Sequence, residues 1–110
     1  MKTIDQLKTN YGPVYAAALY PDLASLFHRH GYALAVHGSL ARDFDLVGVP
    51  WGEIVAEPDE VIRDIISAFD VHLIGELTPM KYGRLCQTIS VGFGNCAVDL
   101  SFMPIATSAT

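Results

Sequence analysis

Val36-His37-Gly38-Ser39-Leu40-Ala41-Arg42-Asp43-Phe44-Asp45-Leu46 is the stretch on which the fold turns. It is entered through an apolar run, Tyr32-Ala33-Leu34-Ala35-Val36, that reads as a buried strand ending at Gly38-Ser39. It leaves through Phe44-Asp45-Leu46-Val47-Gly48-Val49, a second strand stopped by Pro50. Asp43 and Asp45 stand at i and i+2 on that strand, so their side chains project from one face. Two carboxylates side by side repel, and burying them unpaired costs stability. A divalent cation is the natural compensation, and oxygen ligands of this kind suit Mg²⁺ or Mn²⁺. Gly38 lets a phosphate approach the backbone, and the Ser39 hydroxyl and amide could donate to its oxygens.

Upstream of this stretch, a helix is expected from Pro21, with Asp22 near its positive end, Leu23, Leu26 and Phe27 on one face, and Gly31 as its stop. Ile4 to Tyr11 reads as a short helix closed by Gly12-Pro13, and Val14 to Tyr20 is apolar without a clear period. Downstream, Pro58 to Phe69 is the clearest helix. Val61, Ile62, Ile65, Ile66 and Phe69 recur at helical spacing, and Asp59, Glu60, Arg63 and Asp64 cover the outer face, so its role is packing. Val71 to Ile74 is a short extended piece. Gly83 to Val91 and Cys96 to Met103 are strands joined by the turn residues Gly92-Phe93-Gly94-Asn95 into a hairpin. The expected fold is α+β, a small mixed sheet of about four strands with helices packed on it. Residues 1–104 are expected to form one domain, and 105–110 a flexible tail.

The chain has 110 residues, the length of one domain, and 51% of them are hydrophobic against 17% charged, which excludes disorder except at the ends. Seven Lys and Arg against twelve Asp and Glu give a net charge of −5, which argues against a sequence-independent nucleic-acid binder. Met1 to Lys8 carries charges where a signal peptide needs an apolar core, and the apolar run from Tyr11 to Pro21 is too short to span a membrane. Cys86 and Cys96 form neither a metal-type pair nor a redox motif. A hairpin could bring them near each other, but they read as buried free thiols in a reducing compartment, and a cytoplasmic location is expected.

A third acid, Asp99, lies in Ala97-Val98-Asp99-Leu100-Ser101-Phe102, an apolar strand where an isolated Asp is out of place. If that strand lies beside the one carrying Asp43 and Asp45, the three acids form one cluster. Three carboxylates can hold two metal ions, one activating an attacking hydroxyl and one neutralising a leaving pyrophosphate. Asp99 would then be the general base or a ligand to the metal that activates the nucleophile.

Gly38-Ser39, Ala41-Arg42, Asp43-x-Asp45-Leu46 and Val98-Asp99-Leu100 together resemble the nucleotidyltransferase superfamily of the polymerase-beta type, above all its minimal members, and short phage-encoded proteins of that type. The order of elements matches as well, and the resemblance runs from Asp22 to Met103. It implies Mg²⁺- or Mn²⁺-dependent transfer of a nucleoside monophosphate from a nucleoside triphosphate, ATP first among them, to a hydroxyl of a protein or small molecule. On that reading Asp43, Asp45 and Asp99 are the catalytic and metal-binding residues, and Gly38, Ser39 and Arg42 bind the nucleotide. Lys81 and Arg84, before the third strand, could reach its phosphates. With no second domain, the acceptor would come from outside or from another subunit. Between Ser39 and Asp43 stand only Leu40, Ala41 and Arg42, where the family has a longer loop. That departure keeps a second reading open, a non-catalytic module of the same fold that binds a nucleotide or inhibits a partner protein.

Each residue also has a plainer role. Asp43 could cap the Gly-Ser turn, Asp45 could pair with Arg42 or Arg84, and Ser101 could be a simple strand residue. Lys81 and Arg84 could solvate a face. His37 is expected as a core histidine, and His28 and His30, two apart at a helix end, do not make a metal site. Trp51, Tyr82 and Phe93 could stack on a base, although in a domain this small large aromatics belong in the core.

Overall fold

The structure, a computed structural model, describes residues 11–38, 44–91 and 96–105, with no account of the side chains of 11–17, 91 and 96. Helix α1 spans Tyr11–Arg29 and α2 spans Pro58–Ala68; the strands are β1 (Tyr32–His37), β2 (Phe44–Pro50), β3 (Val71–Pro79), β4 (Leu85–Val91) and β5 (Cys96–Phe102). They form one mixed five-stranded sheet in the order β1-β2-β5-β4-β3, in which β2 and β5 run parallel and all other neighbours antiparallel. The α+β expectation therefore holds, with one strand more than expected. Both helices contribute to a core on one face of the sheet, and among the described residues neither is long and apolar enough to cross a membrane.

Strand alternation decides which face is which. Phe44, Leu46 and Gly48 on β2 and Val98, Leu100 and Phe102 on β5 are buried, while Asp45, Val47, Ala97 and Asp99 between them keep partial exposure. Leu23, Leu26 and Phe27 of α1 and Val61, Ile62 and Ile65 of α2 close the helix side. Phe27 stacks on Phe102 with centroids 5.4 Å apart, and Tyr32 meets both rings edge-on. Gly48 makes room for this cluster, since a Cβ there would lie 2.9 Å from Phe27 Cε2. The Tyr32 hydroxyl donates to the Ala56 carbonyl at 2.7 Å, and burial, then the charge of Glu57, pushes its pKa up to about 12. His30 Nε2 meets Asp64 Oδ2 at 2.8 Å, tying the end of α1 to α2.

Several local expectations give way to tertiary packing. Helix α1 does not begin at Pro21; it runs through Gly12-Pro13 and through Pro21 as one element. A proline in a first turn forfeits no bond, so Pro13 is compatible with the start of α1, whereas Pro21 forfeits one i→i−4 bond. The apolar face that continues from Leu19 and Tyr20 to Leu23, Leu26 and Phe27 offsets that loss. Gly31, at φ +90°, ends the helix as expected. In α2, Ile66 is 41% exposed and lies off the packed face. The short extended piece at Val71 grows into the nine-residue β3 because its pairing with β4 survives an irregularity. Pairing passes from Ile74–Thr88 to Thr78–Cys86, so Gly75, Glu76 and Leu77 stand against the single residue Gln87. The buried Gln87 amide donates to the Ile74 and Gly75 carbonyls at 3.3 Å each, supplying donors that the irregular ladder lacks. The expected helix over residues 4–10, the turn at 92–95 and the tail at 106–110 lie outside the described residues.

Candidate functional site

The second and third acids meet across the sheet. Asp45 on β2 and Asp99 on β5 are direct register partners in the parallel pair, about one inter-strand spacing (~4.8 Å) apart along the hydrogen-bonding direction. Both are half-buried and share the face opposite the helices. The same row continues outward on both sides: His37 of β1 stands opposite Asp45, Thr88 of β4 stands opposite Asp99, and Ile74 of β3 stands opposite Thr88. Directly opposed residues lie on one face, so His37, Asp45, Asp99, Thr88 and Ile74 form a line across all five strands.

Each carboxylate is placed by a specific neighbour. Gly38 has φ +83°, and a Cβ built there would lie 2.6 Å from Asp45 Oδ2, so the absence of a side chain at Gly38 is what admits the Asp45 carboxylate. On the other side, the Thr88 hydroxyl donates to Asp99 Oδ1 at 2.6 Å. Asp45 thus leans toward the β1 end of the row and Asp99 toward the β4 end. A groove of about 370 Å³ opens beside Asp99, lined by Thr88, Cys86 and the irregular part of β3 with Ile74, Gly75, Glu76, Thr78 and Met80.

The structure brings Gly38, Asp45 and Asp99 together. Ser39, Arg42 and Asp43 lie outside the described residues, as does Phe93. Lys81 and Arg84 are not brought to the row. They flank the turn between β3 and β4, at the sheet end where Leu85 pairs with Phe102, three residues or roughly 10 Å along the strand from Asp99. Lys81 does follow Met80, one of the residues that line the groove. His37 is exposed, which corrects its expected core position: β1 is an edge strand and its odd-numbered residues face away from the helices. Trp51 and Tyr82 are also not core residues, being 80% and 90% exposed, because both sit in connections beyond the strand ends. They lie toward the end of the sheet away from Asp45. Ser101 is buried in β5. Cys86 is a free, half-buried thiol, and the side chain of Cys96 lies outside the described residues.

Thr88 is the residue that sequence reasoning passed over. The hairpin turn would have revealed it: with Val91 paired to Cys96, counting back three places on β4 and forward three on β5 sets Thr88 against Asp99. His37 could have been found in the same way by counting from the β1–β2 connection to Asp45.

Among the described residues no group of three or more His, Cys, Asp or Glu is placed to hold a metal ion. Asp45 and Asp99 are two hard oxygen donors on adjacent strands, on the sheet face opposite α1 and α2; Thr88 orients Asp99, and Gly38 leaves room for Asp45. Comparison with protein-family models, with curated proteins and with solved structures returned no match.

Proposed function

We propose that this chain is a minimal nucleotidyltransferase-like protein that transfers a nucleoside monophosphate from a nucleoside triphosphate, ATP first among them, to a hydroxyl group. The observation that carries this reading is the direct parallel register of Asp45 with Asp99 on the sheet face opposite α1 and α2. Asp45, Asp99 and Asp43, which the sequence sets two residues before Asp45, would hold Mg²⁺ or Mn²⁺. The bound cation supplies charge neutralisation at the phosphates. Gly38, Ser39 and Arg42 would receive phosphate oxygens, as the resemblance implies, and of these Gly38 lies at the β1 end of the row.

The acceptor would approach from the opposite side, through the groove beside Asp99, because the attacking and leaving oxygens of phosphoryl transfer lie roughly in line. The acceptor oxygen forms a bond to the α-phosphorus, the bond to the bridging oxygen breaks, and pyrophosphate leaves. Asp99 would be either a ligand to the metal or the base that accepts the hydroxyl proton; in the second case Oδ2 would take the proton, since Oδ1 accepts from Thr88. Among the described residues Glu76 lines that groove and no Lys or Arg does, which favours a small molecule or a protein side chain over a nucleic acid as acceptor. A triphosphate donor and a reduced Cys86 accord with a cytoplasmic setting.

A second reading, nucleotide or partner binding without transfer, is favoured by the three-residue spacing between Ser39 and Asp43. A thermal-shift titration with each triphosphate, with and without Mg²⁺ or Mn²⁺, tests the shared part of both readings. At about a hundred times its dissociation constant a ligand adds ~2.7 kcal/mol of stability. The expected result is a metal-dependent rise in Tm that Asp45→Asn and Asp99→Asn abolish. No rise with any triphosphate would overturn the nucleotide site. Release of pyrophosphate on adding acceptor hydroxyls then separates transfer from binding.

A further inference from the structure

We infer that Thr88 is a positioning residue for the metal-binding pair, acting through Asp99; this rests on the reading that Asp45 and Asp99 hold a divalent cation. Three observations support it. The Thr88 hydroxyl donates to Asp99 Oδ1 at 2.6 Å, a distance in the range of charge-assisted O–H···O⁻ bonds. Thr88 stands in the same cross-sheet row as His37, Asp45 and Asp99, so its hydroxyl and both carboxylates share one face. It also lines the groove beside Asp99, where a strand residue with no other duty could be apolar.

The bond fixes which oxygen does what. A carboxylate on a strand turns about two side-chain torsions, and an Asp free to do so spends much of its time aimed away from its neighbour. Donation to Oδ1 holds the plane of the Asp99 carboxylate and leaves Oδ2 and the remaining lone pair of Oδ1 as acceptors. The requirement is a hydroxyl donor on a short side chain with a single torsion, which threonine supplies together with a branched Cβ suited to a strand. Groups that orient metal ligands in this way typically carry a 10- to 100-fold effect on metal affinity.

The test measures Mn²⁺ binding by the loss of the free-ion paramagnetic resonance signal, on wild type, Thr88→Val, Thr88→Ser and Asp99→Asn, with Tm recorded for each. Thr88→Val keeps the branched shape and removes the donor; it is expected to weaken Mn²⁺ binding about 10- to 100-fold. Thr88→Ser keeps the donor and is expected to bind within about threefold of wild type, as orientation and not bulk is the requirement. Thr88→Ala replaces the valine variant should that one not fold. Wild-type affinity in the valine or alanine variant would overturn the inference and leave the metal site standing. Serine as weak as valine would overturn it too, since the hydroxyl is retained. No Mn²⁺ binding by the wild type would overturn the metal reading and this inference with it.

Discussion

Gly38→Ala tests whether the turn after β1 exists to admit the Asp45 carboxylate. Two costs are expected, and the structure separates them. Gly38 has φ +83°, where an alanine loses roughly 1–2 kcal/mol to the clash between its Cβ and the backbone. In addition, the new Cβ would lie 2.6 Å from Asp45 Oδ2, well inside the 3.4 Å at which ordinary contact begins. The carboxylate is the end of a flexible side chain, so it swings away at no more than about 0.5–1.5 kcal/mol of rotamer strain. The larger consequence is that it no longer lies where the metal reading needs it.

Gly75→Ala is the matched control. Gly75 has φ +71°, but a Cβ there meets nothing within 4 Å, so that variant carries only the backbone cost. Any gain from stiffening the unfolded chain, roughly 0.4–1 kcal/mol, is common to both and cancels. Each kcal/mol moves Tm by roughly 4–8 °C in a domain of this size. Both variants should therefore melt below wild type, Gly38→Ala a few degrees lower than Gly75→Ala, and only Gly38→Ala should lose Mn²⁺ affinity in titration calorimetry. Equal Mn²⁺ affinity in the two variants would refute the role assigned to Gly38.

Two further predictions concern the frame around the site. Gly48→Ala would set a Cβ 2.9 Å from Phe27 Cε2 and 3.1 Å from Cδ2, in a ring already held by Phe102 and Tyr32; a loss of about 1–3 kcal/mol is expected in urea unfolding, and an unchanged midpoint would show that the cluster yields. Tyr32→Phe should remove a pH dependence at the alkaline end. The folded state holds the phenol proton up to about pH 12 against an ordinary value of 10.0, so this contribution is complete below pH 10 and is lost as pH rises toward 12. The stability of wild type relative to Tyr32→Phe should fall across that window by at most ~2.7 kcal/mol; a constant difference would refute the assignment.

How far the sequence discloses this structure depends on how local each signal is. The first two strands and α2 are legible because alternation, helical spacing and the stops at Gly31 and Pro50 all lie within a few residues. Helix α1 is misread at Pro21 because a local breaker is overridden by an apolar face whose partner, the sheet, is elsewhere in the chain. β3 is shortened in the reading because Gly75 and Glu76 interrupt its alternation, and the buried Gln87 that supports the interruption sits on another strand. At the site, the residue types in the Asp45 and Asp99 strands were legible. Their adjacency was only conditional, since no local pattern states that β5 inserts between β2 and β4. The exposure of His37 and the contact of Thr88 with Asp99 are not legible locally for one reason: their place is a matter of register, and register shows only once strands are paired.

That register is hard to change. Asp45 lies between Phe44 and Leu46, and Asp99 between Val98 and Leu100, with all four apolar residues fully buried. A slip of β2 by one residue would turn Asp45 toward α1 and α2 and turn Leu46 to solvent, and the same slip in β5 would exchange Asp99 for Leu100. Each exchange forfeits roughly 1.5–3 kcal/mol of apolar burial and adds the desolvation of a carboxylate. The alternation that builds the core therefore also holds the two acids side by side on the face opposite α1 and α2. Their position does not depend on a bound ligand, because the buried residues flanking each acid fix it. Replacing either acid by Asn leaves those core residues untouched. A loss of metal or nucleotide binding in Asp45→Asn or Asp99→Asn, at an otherwise preserved Tm, is then a statement about the chemistry of the row and not about the fold beneath it.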